Sequence, residues 1–178
     1  SAIIDGMMQV CSKAGISPSD ITQIIHGTTL ATNALIERRG AKTALITTEG
    51  FRDVIEMRTE SRFEQYDLNL CLPEPLLPRQ MRYTVPGRID ANGNELLPLL
   101  RQDVEKVVKK IKVAGYESIA IGLIHSYAND IHEKIVRDVV SELIPDVMIS
   151  ISSEVSPQMR EYERFNTVVA NAYIKPLM

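Results

Sequence analysis

The sequence predicts an α/β fold, because predicted helices and strands alternate, the strands are apolar and the links between them are short. Two apolar runs, residues 21–25 and 42–47, alternate with runs of helical spacing along the first third of the chain. Such alternation favours right-handed crossovers and parallel strands. Because both runs are almost entirely apolar, we expect helices to cover the sheet on its two faces.

The helices of the first third are predicted from spaced apolar residues and from stop signals. Residues 3–14 place apolar side chains on one helical face, and Gly15 ends that helix. Residues 17–20 have the serine-then-proline order of a short helical turn. Further helices are predicted over residues 32–39 and from residue 51 to residue 57.

The rest of the chain begins with an irregular stretch and then returns to alternation. Residues 59–79 contain three prolines and mixed charges, which predicts an extended linker. Residues 81–85 and 95–97 flank Asn92-Gly93, a strong hairpin signal, and Pro86 places the first of these strands at a sheet edge. Beyond the hairpin, the predicted elements are a helix over 102–114, a strand over 118–124, a helix over 130–143, a strand over 147–151 and a helix over 158–173.

These elements predict a division into two α/β subdomains. The first covers residues 1–58 and the linker covers 59–79. The second α/β subdomain covers 80–155, and residues 156–178 form a C-terminal helix that leads towards a further region.

Composition excludes several classes of function. Of the 178 residues, 44% are hydrophobic and 24% charged, and the net charge of -3 with no long basic block argues against a nucleic-acid surface. No apolar run has the length of a membrane span, and the first residues lack the pattern of a signal peptide. Cys11 and Cys71 lack metal-ligand or redox spacing, so we expect a cytoplasmic protein with two free thiols and no metal site.

Residues 26–40 crowd small polar groups behind the first apolar run. Gly27 allows a sharp turn, while His26, Thr28, Thr29 and Asn33 offer hydrogen bonds, and the helix that follows begins with unpaired amides. This combination suits a phosphate or a polar small molecule. The alternative is that Thr28 or Thr29 caps the helix and Asn33 fixes the turn.

Three basic residues outside this loop are further candidates. Arg58 and Arg62 carry guanidinium groups that suit an anion, although both lie among glutamates and Arg58 is better interpreted as a solvated charge. His125 ends the strand over 118–124, as His26 ends the first apolar run. It is a candidate ligand residue, with a structural role in the turn that follows as the alternative.

Other charged residues are interpreted as structural. We expect Glu154 to pair with Arg160, and His132 to lie at the surface or near a helix cap. The remaining charges of the last helix are expected to be solvated; they are Glu161, Glu163 and Arg164.

Seven sequence blocks, in order, cover nearly the whole chain. They are HGTTLATNAL (26–35), TTEGFRD (47–53), YDL (66–68), LIHSYAN with HE (123–129 and 132–133), SSEV (152–155), REYER (160–164) and NAY (171–173). Together they resemble the hydantoinase A/5-oxoprolinase family.

The resemblance implies part of an ATP-dependent enzyme that opens cyclic amides, such as hydantoins or 5-oxoproline, through a phosphorylated intermediate. It also implies an alternative, a subunit of an ATP-dependent ketone carboxylase of the acetone type. A third, non-enzymatic hypothesis is that the chain is a non-catalytic interaction module. The implied fold is of the sugar kinase, Hsp70 and actin type, which makes residues 1–58 a partial RNase H-like subdomain.

One departure from the family pattern shapes the remaining expectations. Family members begin with a strand bearing Asp-x-Gly-Gly-Thr, a phosphate-binding turn, and this motif is absent here. We therefore expect a piece of a longer polypeptide, with ATP and Mg²⁺ used by the whole enzyme and neither bound tightly by this piece. No catalytic residue is assigned. Expected partners are a small cyclic amide and a B-type hydantoinase subunit or region.

In an RNase H-like unit three strands precede the first helix, and the resemblance implies that these three strands are missing here. The strands over 21–25 and 42–47 would lack companions, and an unpaired sheet edge promotes self-association or disorder.

Overall fold

A computed structural model describes residues 2–24, 29–59, 64 and 66–178. These divide into two compact units, Ser1–Ala31 and Thr32–Met178. The first unit contains helix α1 (Ala2–Ala14) and a turn of 3₁₀-helix, Pro18–Asp20. Ser17 and Asp20 form a reciprocal capping box at that turn, which confirms the short helical turn predicted there.

The second unit holds the sheet and most of the helices. Helix α2 begins at the end of the first unit and continues into the second. The helices are α2 (Leu30–Ile36), α3 (Val54–Met57), α4 (Arg101–Ala114), α5 (Ile131–Leu143), α6 (Ser152–Val155) and α7 (Glu161–Ile174), with 3₁₀ turns at Arg79–Met81 and Lys175–Leu177. The strands are β1 (Thr43–Thr48), β2 (Arg82–Val85), β3 (Arg88–Ile89), β4 (Glu95–Leu97), β5 (Ser118–Gly122) and β6 (Met148–Ile151).

Four strands form one parallel sheet in the order β2-β1-β5-β6. Leu45 of β1 lies opposite Arg82 of β2 on one side and Ala120 of β5 on the other. Both central strands, β1 and β5, are buried along their whole length. Such burial of both sides of a strand is expected where helices cover the two faces of a parallel sheet. The α/β class with a parallel sheet is confirmed.

Each face of the sheet has its own core. Helices α4 and α5 cover one face, where Val104, Val108 and Ile111 of α4 are fully buried. Helix α7 covers the other, and its Phe165 packs so closely on β5 that a Cβ at Gly122 would lie 2.7 Å from the ring. Burial of each such side chain stabilises the fold by about 1.5–3 kcal/mol.

The hairpin differs from its prediction in one strand. Asn92-Gly93 does form the turn, but β4 pairs with β3, and residues 82–85 instead form β2 in the parallel sheet. The hairpin signal is local, whereas the pairing of β2 with β1 joins residues far apart in sequence. Strand β2 lies at the edge of the sheet, as Pro86 predicts.

The strand predicted over 21–25 is wrong for its described part. Residues 21–24 form neither strand nor helix, and Ile24 is 57% exposed. The fifth residue, Ile25, lies outside the described residues. A run of apolar residues supplies no backbone partner by itself, and β1 already pairs on both sides with β2 and β5. The unpaired edge expected for β1 is therefore not present.

The compact units also differ from the predicted subdomains. In the sequence, the boundary between the two units falls between Ala31 and Thr32. Across the predicted linker over 59–79, β1 pairs with both β2 and β5 in a single sheet. The RNase H-like assignment of residues 1–58 stays a prediction. Among the described helices, none has the length and apolar character needed to cross a membrane.

Candidate functional site

The carboxyl ends of the parallel strands meet at one edge of the sheet, and ligands of α/β proteins tend to bind there. The loops that follow β1 and β5 lie side by side at this edge. The backbone N–H of Ile124 donates to Thr48 Oγ1 at 3.1 Å, so a threonine at the end of β1 ties down the loop after β5. These loops carry His125 and the block from Gly50 to Asp53.

His125 has a constrained backbone in this loop. Its φ is +55°, in the left-handed region that non-glycine residues seldom occupy. Its N–H donates to Glu161 Oε1 at 3.2 Å, and its carbonyl accepts from Ala128 N at 2.9 Å. The backbone of His125 therefore does hold the turn that follows it.

The imidazole of His125 does not hold this turn, because the backbone N–H and carbonyl make the bonds. The side chain is 27% exposed, yet Nδ1 is itself buried and makes no hydrogen bond to any described residue. The distance from His125 Nδ1 to the carboxylate oxygen Glu161 Oε1 is 3.9 Å, which is too long for a hydrogen bond. A buried ring nitrogen without a partner calls for an explanation, and a bound ligand is one.

A buried carboxylate lies beneath this loop. Glu133 of α5 is 0% exposed. It accepts from Leu123 N at 2.9 Å, Ser126 Oγ at 2.9 Å, Ser152 Oγ at 2.6 Å and Ser153 N at 2.9 Å. These donors come from the loop after β5 and from the start of α6, and they satisfy both oxygens of the buried carboxyl group.

A buried arginine completes the network from the opposite side. Arg164 of α7, also 0% exposed, donates to Ser152 Oγ at 3.0 Å, Leu123 O at 2.8 Å and Glu161 Oε1 at 3.2 Å. Ser152 thus bridges the two fully buried charges, Glu133 and Arg164. The expectation that Arg164 is a solvated helix charge is wrong.

The sequence contains a signal for both buried charges. Arg164 precedes Val168 and Ala172 at intervals of four, and these two residues are buried on the inner face of α7. Glu133 precedes Val136 and Val140 on α5 at intervals of three and then four. A charge in register with an apolar stripe indicates a buried, paired group.

Glu161 links this network to the surface. Burial alone would raise the pKa of its carboxyl, but the hydrogen bond from His125 N and the nearby Arg164 guanidinium outweigh burial and hold that pKa below its usual value. Glu161 is therefore an anion with internal partners, and its interpretation as a simple solvated charge is corrected.

A cavity of about 330 Å³ opens beside Glu161, between the loop after β1 and the start of α7. Its lining combines apolar and charged residues: Phe51, Val54, Arg58, Thr59, Arg160, Glu161, Tyr162 and Glu163. Arg58 and Arg160 both have positive φ, +58° and +85°. Arg58 also donates to the carbonyl of Pro73, so it is not simply a solvated charge beside glutamates.

The other predicted site residues are distributed as follows. Thr29 lies immediately before α2, and Asn33 is an exposed residue of that helix. Four predicted residues lie outside the described part of the chain: His26, Gly27, Thr28 and Arg62. The structure brings His125 to the sheet edge; the ligand roles of all seven residues stay predictions.

Two further charge predictions are corrected. Glu154 pairs with Arg137 at 3.3 Å rather than with Arg160, because Arg137 projects from the facing helix α5. His132 is only 4% exposed and its Nε2 lies 2.6 Å from Glu95 Oε1, which joins α5 to the hairpin. It is therefore a buried paired residue and not a surface one.

Comparison of this sequence with known proteins identifies its family. Residues 1–144 match the family model described as the hydantoinase/oxoprolinase N-terminal region. The chain belongs to this family. It is 34% identical over 183 residues to the caprolactamase subunit alpha of Pseudomonas jessenii, a match that covers 99% of this chain and 26% of that subunit. It is 31% identical to the 5-oxoprolinase of Saccharomyces cerevisiae, covering 90% of this chain and 14% of that protein.

Solved structures agree with these matches. The crystal structure of the ATP-dependent caprolactamase of Pseudomonas jessenii superposes with a TM-score of 0.87 over 99% of this chain. Nucleotide-free acetone carboxylase superposes with a TM-score of 0.81 at 26% identity, covering 93% of this chain. This chain spans 26% of each of those two chains. The resemblance to the hydantoinase A/5-oxoprolinase family is thereby confirmed.

Proposed function

We propose that this chain is part of an ATP-dependent enzyme that opens a cyclic amide ring. The observation that carries the proposal is the buried, unpartnered Nδ1 of His125 at the ligand-binding edge of the sheet. The support from relatives is the likeness to a caprolactamase subunit and to a 5-oxoprolinase, whose names both specify cyclic amides.

The chemistry requires activation of a poor electrophile. An amide carbonyl resists water at neutral pH, and ATP, when bound, supplies the phosphoryl group that converts the amide oxygen into a leaving group. Under this proposal His125 binds the substrate through Nδ1 and holds its reacting oxygen in place. Glu133, Ser152 and Arg164 do not touch the substrate; they hold the loop that carries His125.

The residues of this chain fit the substrate better than they fit a metal. Mg²⁺ in ATP-using enzymes is held by carboxylates and phosphate oxygens. Within the described ranges, no group of three or more His, Cys, Asp or Glu is placed to hold a metal ion. No step of the proposal therefore passes through a metal held by these residues.

The polar loop before α2 belongs to the same proposal. His26, Gly27, Thr28 and Thr29, with Asn33, would position the substrate or its phosphate, and Arg62 would add a cation. A B-type hydantoinase subunit is the proposed protein partner, and the support is that the caprolactamase relative is itself a named subunit. An RNase H-like fold for the nucleotide-binding part is proposed on the same family likeness.

A second candidate is ATP-dependent carboxylation of a small ketone. The observation that favours it is the TM-score of 0.81 with acetone carboxylase. In both reactions a carbonyl-type oxygen is the group that His125 would contact.

The experiment measures phosphate release from ATP by the whole protein that contains this chain, together with its partner subunit. Separate assays contain caprolactam, 5-oxoproline, hydantoin, or acetone with bicarbonate. Stimulation by one or more cyclic amides, with the open-chain product detected, is expected. Stimulation by acetone with bicarbonate alone would favour the carboxylase, and stimulation by none of them would leave the interaction module as the better account.

A further inference from the structure

The cavity beside Glu161 contains two charges of opposite sign that the fold does not use. Glu161 is already bound by Arg164 and by the backbone of His125. Arg58 gives one guanidinium nitrogen to Pro73 O. Across the described part of the chain, the side chains of Arg160 and Glu163 make no hydrogen bond or ion pair, although both line the cavity. Arg160 immediately precedes α7 and Glu163 lies in its first turn, and the two side chains do not pair.

The backbone at the two arginines is unusual for that residue type. Arg58 has φ +58° and ψ -144°, a region that is occupied almost only by glycine, and Arg160 has φ +85°. Glycine would take either conformation without strain. The chain nevertheless places a guanidinium at both positions, on the two elements that face each other across one cavity.

The remaining lining is apolar and suits a short hydrocarbon body. Phe51 and Val54 form part of the wall, and Tyr162 adds an aromatic ring. A bare anion would meet the carboxylates of Glu161 and Glu163, and a bare cation would meet two guanidinium groups. A molecule with a negative charge at one end and a positive charge at the other avoids both conflicts.

We propose that this cavity binds a small ω-amino acid. Arg160, with the free donors of Arg58, holds the carboxylate, and Glu163 holds the ammonium group. The methylenes lie against Phe51 and Val54. The class of ligand rests on the proposed function: hydrolysis of a lactam breaks the C–N bond, places the water oxygen on the carbonyl carbon and a proton on the nitrogen, and leaves a carboxylate and an amine on the same chain.

The position of the cavity agrees with this assignment. Glu161 lines the cavity and also accepts from His125 N. The site therefore adjoins the histidine that would hold the ring before it opens. A ring-opened product would need only a short movement from one to the other.

The test uses calorimetric titration of the whole protein with three matched probes at neutral pH: 5-aminopentanoate, pentanoate and pentylamine. We expect 5-aminopentanoate to bind roughly fivefold more tightly than either probe that has one charge, since each exposed charge pair contributes on the order of that factor. Arg160→Gln should weaken 5-aminopentanoate roughly fivefold and strengthen pentylamine, because it removes a positive charge from the cavity. Glu163→Gln should weaken 5-aminopentanoate and strengthen pentanoate.

Arg39→Gln is the control, because Arg39 is an exposed arginine whose ion pair among the described residues is with Glu37; it should change nothing. Equal binding of pentanoate and 5-aminopentanoate would overturn the proposal in favour of a plain anion site, and absence of binding would overturn it outright. Failure of the proposed function is distinguishable: 5-aminopentanoate would still bind, with the pattern above, in a protein that opens no cyclic amide.

Discussion

Two groups of charged residues lie near the start of α7, and they differ in burial and in hydrogen bonding. Glu133 and Arg164 are fully buried, and each makes several hydrogen bonds, including one to Ser152 Oγ, which lies between them. Arg160, just before α7, and Glu163, in its first turn, are exposed, and their side chains have no partner among the residues described. The buried pair fixes the loop that carries His125, whereas the exposed pair is available to a ligand. Position on α7, rather than residue type, decides which role a charge has.

The largest expected effect is the loss of the buried arginine. Arg164→Met leaves the buried carboxyl group of Glu133 without the guanidinium that Ser152 links to it, so we expect the free energy of unfolding to fall by about 3–5 kcal/mol. Chemical denaturation with urea measures it. Arg101→Met is the control, since Arg101 is half exposed and pairs only at the surface, and it should cost about 1 kcal/mol or less. Equal losses in the two variants would remove the distinction between buried and exposed charges.

The serine that bridges the buried charges gives the next largest effect. Ser152→Ala removes a hydroxyl that donates to Glu133 and accepts from Arg164, and we expect a loss of about 1–3 kcal/mol. The adjacent Ser153 is a matched control, because its hydroxyl is buried and has no hydrogen-bond partner within the described ranges. Ser153→Ala should leave the free energy of unfolding unchanged or slightly raised. A larger loss for Ser153→Ala than for Ser152→Ala would contradict the assigned network.

A smaller effect comes from the exposed arginine with a strained backbone. Arg160→Gly relieves a positive φ at a residue whose side chain has no bond to lose, while glycine makes the unfolded chain more flexible. The two effects partly cancel, and we expect a net gain of about 1 kcal/mol in the free energy of unfolding. Arg160→Ala retains the strain and should bring no gain. If Arg160→Gly were strongly destabilising, Arg160 would belong with the structural charges.

The smallest effect is a dependence on pH at the residue between the two groups. The pKa of Glu161 is lowered in the folded state, so its contribution to stability is present above its unfolded value of 4.5 and is lost as the pH falls through the folded value. Glu161→Gln should therefore destabilise the protein at neutral pH, and the difference from the parent protein should shrink as the pH falls below about 4.5. Acid titrations of unfolding in the two proteins test this, and a difference that grows towards acid pH would reverse the sign.

The sequence predicts the local elements better than their pairing. Helices α4 and α5 follow from apolar spacing and from Gly115, which takes the left-handed conformation that ends α4. Strand β1 follows from its apolar run. The pairing of β2 with β1 does not, because it depends on residues more than thirty positions apart, and the hairpin signal at Asn92-Gly93 points to a different strand.

The site is predictable in part for the same reason. The sequence predicts His125 as a site residue because it follows a buried apolar strand, which is a local pattern. The network below it depends on three elements that meet only in the folded chain, α5, α6 and α7. The register of Arg164 with Val168 and Ala172 indicates burial but cannot name Ser152 as its partner. The apolar run over 21–25 shows the opposite error: the local pattern is typical of a strand, but β1 has no free side with which it could pair.

The most direct test of the account replaces His125 by asparagine in the whole protein with its partner subunit. Asparagine tolerates the left-handed backbone at this position, so the turn and the network beneath it are kept while the imidazole is lost. The measurement is kcat/KM for ATP-dependent opening of the preferred cyclic amide, with thermal unfolding as the check on the fold. The account predicts a fall of about a hundredfold with an unchanged midpoint of unfolding. Unchanged kcat/KM in a properly folded variant would contradict it.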